Sequence, residues 1–232
     1  MKPWVLIALI FSGTFPVWAQ VEGSIRGVVM NERGIPVKGA TVYPSNNRPV
    51  AGRVFPAALT DETGHFALQG LPLDEYEVKA YNEEEDYPEL DGVWLSFYKR
   101  PSWPKVNLTA REPLAAVEVR LGPKTAVLLG TITDAITGAA LGACAGFSPV
   151  SQPDTTTAYP VNTKYRLLIP ADANVAVQVW LDGYKPWYYP GTDQKSARTS
   201  MRLKPGEERN VNVRLQPQKN AHAAMCGIRV LH

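Results

Sequence analysis

The chain has 232 residues, with 24 Lys and Arg against 22 Asp and Glu for a formal charge of +2, a hydrophobic share of 45%, 20 prolines and 18 glycines. A balance this close to zero excludes a strongly basic nucleic-acid binder but leaves room for local asymmetry. That asymmetry is present: 11 bases against 15 acids (net −4) from Gln20 to Pro123, and 10 against 7 (net +3) from Lys124 to Pro217, so the two halves are expected to attract each other weakly.

The first residues, MKPWVLIALIFSGTFPVWAQ, combine Lys2, an apolar run from Trp4 to Phe11 and the small-residue pattern Val17-Trp18-Ala19. These are the parts of an export signal cut after Ala19. The apolar run is shorter than the roughly 20 residues of a spanning helix, so residues 1–19 read as a cleaved leader, not an anchor. The mature protein is expected to have no transmembrane segment and to be secreted or held in the periplasm or cell envelope. No cysteine follows the cut, which argues against a lipid anchor.

Past the leader, prolines and glycines punctuate short β-rich runs and no apolar period of 3.6 is sustained, so the expected class is all-β. Ser24–Met30 begins a strand, Glu32–Pro36 supplies turn residues, and Ala40–Tyr43 alternates as a second strand, which predicts an antiparallel pair. Thr60-Asp-Glu-Thr-Gly64 reads as a turn leading into a strand at His65–Leu68, with Phe66 and Leu68 on one face and His65 on the other. In Tyr76-Glu-Val-Lys-Ala80, Tyr76, Val78 and Ala80 are expected to face inward while Glu75, Glu77 and Lys79 face water. Glu83-Glu-Glu-Asp86, with Glu89 and Asp91, is the densest carboxylate cluster. Consecutive acids on an extended chain point to opposite faces, so a solvated loop is expected there in preference to a calcium site. Trp94-Leu-Ser-Phe-Tyr-Lys-Arg-Pro-Ser-Trp103 is rich in aromatics, and Asn107-Leu-Thr109 matches a glycosylation sequon, a short pattern of little weight.

Val117–Leu121 closes a first unit, and Gly130-Thr-Ile-Thr-Asp-Ala-Ile-Thr-Gly138 reopens the chain in the manner of Gly27–Gly34. Further matches keep their order: Phe66–Leu68 with Tyr165–Leu167, Pro72 with Pro170, Tyr76–Ala80 with Val175–Val179, and Val117–Leu121 with Val211–Leu215. The chain therefore reads as a tandem repeat, with one sandwich at 20–123, a more divergent one at 124–217 and a tail at 218–232.

The second unit holds Trp180-Leu-Asp-Gly-Tyr-Lys-Pro-Trp-Tyr-Tyr-Pro190. Trp180, Tyr184, Trp187, Tyr188 and Tyr189 are the candidate ligand-binding residues, since exposed rings stack on sugars or on partner rings. The competing reading is core packing, or contact with the Trp94–Trp103 segment across the junction of the units. Cys144 and Cys226 are the two cysteines. In an oxidising compartment they suggest one disulfide tying the tail to the second unit, with two separate thiols as the alternative.

Gly27-Val-Val, Gly34–Val42, Thr60–Phe66, Gly70-Leu-Pro72 and Tyr76-Glu-Val78 together resemble the carboxypeptidase regulatory-like domain. The resemblance implies a transthyretin-like, prealbumin-type β-sandwich of Greek-key type, covers Ser24–Pro123 well and extends more loosely over Thr125–Pro217. Lys164-Tyr165 replaces the Gly-x-Phe of the first unit, a departure in turn geometry. The family's Asp/Gly-rich segment is a structural turn, which makes His65 a turn neighbour and not a catalytic group. Enzymes on similar-looking sandwiches include hydroxyisourate hydrolases and intradiol dioxygenases; the His/Arg/Ser signature of the former and the Tyr/His iron set of the latter are missing here. His65, His222 and His232 are the only histidines, and none has a metal-ligand spacing. The expectation is a non-enzymatic, exported scaffold or interaction module with no cofactor, no catalytic residue and no nucleic-acid partner. Its partner is an unknown protein or polysaccharide. A carbohydrate-binding protein is the alternative, and a hydrolase the weakest reading.

Overall fold

The computed structural model describes residues 22–46, 55–99, 102–152 and 156–219. The leader at 1–19 lies outside them, as do His222, Cys226 and His232. The first half contains strands β1 (Gly23–Met30), β2 (Thr41–Ser45), β3 (Ala58–Leu59), β4 (His65–Leu71), β5 (Glu75–Tyr81), β6 (Lys105–Asn107) and β7 (Leu114–Arg120). The second contains β8 (Ala126–Asp134), β9 (Ala143–Pro149), β10 (Thr157–Val161), β11 (Lys164–Ile169), β12 (Val175–Trp180), β13 (Trp187–Tyr188), β14 (Glu208–Asn210) and β15 (Val213–Leu215).

Each half is a sandwich of two sheets. In the first, β4-β1-β7 packs on β3-β2-β5-β6; in the second, β11-β8 with β14 and β15 packs on β10-β9-β12-β13. Strand alternation builds both cores. Phe66 and Leu68 of β4 are buried while His65 is exposed, and Tyr76, Val78 and Ala80 of β5 are buried beside exposed or half-buried Glu75, Glu77 and Lys79, as the sequence pattern predicts.

One expected pairing is corrected. β1 and β2 are not partners: β1 lies between β4, antiparallel, and β7, parallel, whereas β2 pairs with β3 and β5 in the facing sheet. Both edges of β1 are occupied, so the chain after Met30 must cross the core, burying Val37 and Ala40 on the way. Of the expected hairpin only the Met30–Pro36 bridge remains.

The same device closes the first sheet of each half. A Cβ on Gly27 would lie 2.1 Å from the Val117 carbonyl oxygen and 2.9 Å from the Phe66 ring. A Cβ on Gly130 would lie 2.1 Å from the Val211 carbonyl oxygen and 3.1 Å from Tyr165. A bare backbone on the central strand therefore lets the aromatic of the neighbouring strand lie across it while the parallel strand approaches.

The Thr60–Gly64 turn is held by one carboxylate. Asp61 Oδ1 accepts from the backbone N–H groups of Thr63 (2.8 Å) and His65 (2.9 Å) and from the Thr63 hydroxyl (2.8 Å). These bonds, that from His65 first, hold the Asp61 carboxyl below its usual range. Gly64 takes φ +76° with Pro36 and the Val29 carbonyl packed against it, so a side chain is excluded by both conformation and space.

Candidate functional site

Strand alternation divides the five candidate rings between two faces. Val175, Val177 and Val179 of β12 enter the second core, which leaves Ala176, Gln178 and Trp180 on the opposite, outer face. β13 pairs with β12 so that Trp187 stands opposite Val179 and Tyr188 opposite Gln178. Trp187 is consequently buried in the core, with the Tyr189 ring packed edge-on at 6.4 Å and 70°. Tyr184 and Tyr189 also pack against that core, whereas Trp180 and Tyr188 are half-buried on the outer face. The rings do not form one coplanar platform.

Tyr184 has a further structural task. Its hydroxyl donates to Asp134 Oδ2 at 3.0 Å, while Asp134 Oδ1 accepts from the Ile136 and Thr137 backbone N–H groups at 2.8 Å each. Those bonds, with Thr137 the largest contributor, lower the Asp134 pKa. The Trp180–Tyr184 turn thus fastens to the end of β8. Beyond it, Lys185 and Asp193 form an exposed pair at 2.8 Å, which lowers the Asp193 pKa.

The first-half aromatic segment reaches into the second half. Trp94, on a 3-10 turn at Gly92–Ser96, is buried in the second core together with Leu90, and Val93, Phe97 and Tyr98 pack around it. Trp94 stacks on Tyr98 (6.2 Å, 7°) and meets the edge of Phe147 on β9 (5.0 Å, 64°). Contact across the junction with the Trp180–Pro190 segment is one of the alternatives the sequence leaves open; the ring that Trp94 meets edge-on belongs to Phe147 of β9. Trp103, the far end of the same segment, belongs to the first core. The Tyr98 hydroxyl accepts from the Ala171 N–H at 2.6 Å, joining the halves again.

The acidic stretch completes this junction. Asn82 caps a 3-10 turn at Glu83–Glu85 through the Glu85 N–H, and Asp86 follows in the left-handed region at φ 67°. That conformation turns the Asp86 carbonyl to the Thr125 N–H (2.9 Å) and hydroxyl (3.0 Å). The Asp86 carboxylate pairs with Arg166 and, at 3.4 Å, with Lys124, and Arg166 also donates to the Glu83 carbonyl at 3.2 Å. Glu89 accepts from Tyr43, whose pKa is raised by burial and by that carboxylate. Among the described residues, no group of three or more His, Cys, Asp or Glu is placed to hold a metal ion, and no helix is long and apolar enough to cross a membrane.

Burial pushes the Tyr98 and Tyr165 hydroxyls up to about 12. A phenol whose folded pKa exceeds its unfolded value near 10 contributes stability that is complete below pH 10 and lost as pH rises through about 12. Late tyrosinate absorbance is therefore expected to appear together with loss of near-ultraviolet circular dichroism in that window. Complete tyrosine ionisation with the dichroism intact would contradict it.

Cys144, on β9, is disulfide-bonded; Cys226 is outside the described residues. A mixed cleft of about 530 Å³ opens beside residues 31–39, its lining combining Arg33, Lys38 and Lys124 with Glu84 and Glu85. Sequence reading missed Asp86, Arg166 and Leu90 as junction residues. The only signal for Asp86 and Arg166 is the opposite charge of the two halves, and Leu90 has none.

No family model matches the chain, and no curated protein matches it. Among solved structures, the Bacillus anthracis TIE protein is 16% identical over 84% of this chain and 34% of its own, with a TM-score of 0.31. A streptococcal ancillary pilin is 15% identical over 87% and 64%, with a TM-score of 0.33. The shaft pilin SpaA of Lactobacillus rhamnosus GG is 13% identical over 86% and 99%, with a TM-score of 0.32. The chain thus spans about a third of the first and under two thirds of the second. Likenesses at these TM-scores carry no weight for function.

Proposed function

We propose that the chain is an exported, non-enzymatic protein whose two sandwiches, tandem units similar to carboxypeptidase regulatory-like domains, act as a stiff scaffold or interaction module in the cell envelope or outside the cell. The junction carries this reading. A first-half tryptophan sits in the second-half core, and Asp86 draws Thr125, Lys124 and Arg166 to one residue. The connecting residues are packed too: Leu121 is buried in the first core, Thr125 is fully buried, and Gly122 lies against Leu90. A joint built this way transmits orientation, which a flexible linker does not. The disulfide at Cys144 supports an oxidising compartment, and the matched glycines at 27 and 130 support the tandem relation.

The test is the distance distribution between spin labels at two exposed positions, Glu62→Cys in one half and Ile136→Cys in the other. One narrow peak, broadened when Asp86→Ala and Trp94→Ala are added, is the expected outcome. A broad distribution in the parent protein would sink the stiff-scaffold reading.

A second reading is favoured by one observation, the common outer face of Trp180 and Tyr188. These are the two candidate rings left for a sugar, and polysaccharide retention lost in Trp180→Ala would support that use.

A further inference from the structure

Most strand edges of the two sandwiches are blunted. β3, β6, β13, β14 and β15 have two or three residues each, and β10 carries Pro160. On β4, the N–H and C=O of His65 are both bonded to Asp61 of its own turn. β11 lies at the junction, where Arg166 binds the Glu83–Asp86 turn. Short strands, prolines and covering turns are the means by which sheets avoid edge-to-edge association. Among the described residues, β7 is the long edge without such protection: it runs seven residues, contains no proline and has β1 on one side alone.

The hydrogen bonds to β1 fix what that edge offers. Ser24 N–H donates to the Pro113 carbonyl at 2.8 Å and Leu121 N–H to the Met30 carbonyl at 2.9 Å, at the two ends of an unbroken parallel register. In such a ladder alternate residues face the partner. Ala115, Val117 and Val119 therefore turn their main-chain groups to β1, and Leu114, Ala116, Glu118 and Arg120 turn theirs away. The side chains of the latter four are exposed on the outer face. Ala115 and Val117 pack on the first core yet stay half-buried, whereas Ile25 and Val29 of β1 are fully buried, so the core is open along this side.

The charges of β7 match a second copy of the same strand. Antiparallel strands bond where outward-facing residues meet each other, so even-numbered positions must oppose even-numbered ones. With the two-fold axis at Glu118, like charges meet; with the axis at Val117, Glu118 meets Ala116 and Arg120 meets Leu114. With the axis at Val119, Glu118 of each copy stands opposite Arg120 of the other, and Val117 meets Leu121 on the core face. Glu118 and Arg120 already pair along the strand at 2.8 Å, so this register closes two such pairs into a square of alternating charge.

We propose that two copies of this chain associate through β7, antiparallel about Val119, joining their three-stranded sheets into one. The main-chain groups of Glu118 and Arg120 bond across the axis, and Val117 becomes buried. This goes beyond the scaffold reading and holds whether or not the joint between the halves is stiff.

The test is sedimentation velocity at low salt, over a concentration series, of the exported protein, its Glu118→Arg and Arg120→Glu variants, and an equimolar mixture of the two variants. The parent is expected to show a monomer–dimer equilibrium. Each variant alone sets like charges against each other at both crossings and is expected to associate at least about tenfold more weakly. The mixture is expected to recover the dimer, one copy of each variant, because every crossing again joins opposite charges. Both positions are exposed on the outer face, so the fold is expected to survive, with circular dichroism matching the parent. A parent that stays monomeric throughout the series overturns the proposal. Variants that dimerise as well as the parent, or a mixture that stays dissociated, overturn it too, since another register or surface would then hold the copies.

Discussion

Trp94→Ala is expected to lower the melting temperature by roughly 10 °C or more. Removing a buried indole costs about 3–5 kcal/mol in transfer and cavity terms, and each kcal/mol moves a domain of 150–250 residues by about 2–4 °C. Trp94 is 4% exposed and fills a site bounded by Tyr98 and Phe147, where a rigid β-sheet floor leaves little room for collapse. Its position gives the loss a diagnostic form. Trp94 belongs by sequence to the first half and by packing to the second, so calorimetry of the variant should resolve two transitions where the parent shows one. A melting temperature within about 2 °C of the parent, with a single transition, would mean that the junction contributes little.

Gly130→Ala is the second large effect. The new methyl would stand 2.1 Å from the Val211 carbonyl oxygen and 2.7 Å from its carbon, both backbone atoms. That same carbonyl accepts from the Tyr165 hydroxyl at 2.6 Å. Relief by movement of the segment between β14 and β15 would break this bond and the Val211 N–H contact to Leu129 at 2.7 Å. Overpacking against a backbone that cannot step aside costs about 3 kcal/mol. Gly142→Ala is the matched control: its methyl would meet its first neighbour at 3.5 Å, an ordinary contact, and a change within about 0.5 kcal/mol is expected in urea unfolding. Equal midpoints for the two variants would refute the close-approach account.

What could be read from the sequence follows from how local each determinant is. Phe66, Leu68, Tyr76, Val78 and Ala80 reveal their face through a period of two that needs no partner. The turn at Asp61 is equally local, since one carboxylate closes it within four residues. The neighbours of β1 were not legible, because β7 lies some ninety residues away and a nearby β2 is the economical guess. The aromatic segment illustrates a middle case: Val179 and Trp187 share a face only once the β12–β13 register is known, and nothing local fixes that register. Trp94 had no periodicity at all. A loop residue acquires its burial from whatever the other half presents, here Phe147, and composition alone cannot name that partner.

The parallel pairing of β1 with β7 sets how the first half would respond to a pull along the chain. The seven residue pairs from Ser24–Leu114 to Met30–Arg120 join the entering and leaving strands of the first half side by side in the same direction. A pull on the chain at Gly23 and Arg120 slides these strands lengthwise, so their hydrogen bonds are strained together and do not open one at a time like a zip. β8 with β14 and β15 repeats the arrangement in the second half. Two sheared clamps in series, coupled by the packed residues 121–125, make the chain resist stretching along its length far better than the modest span of each sheet would imply.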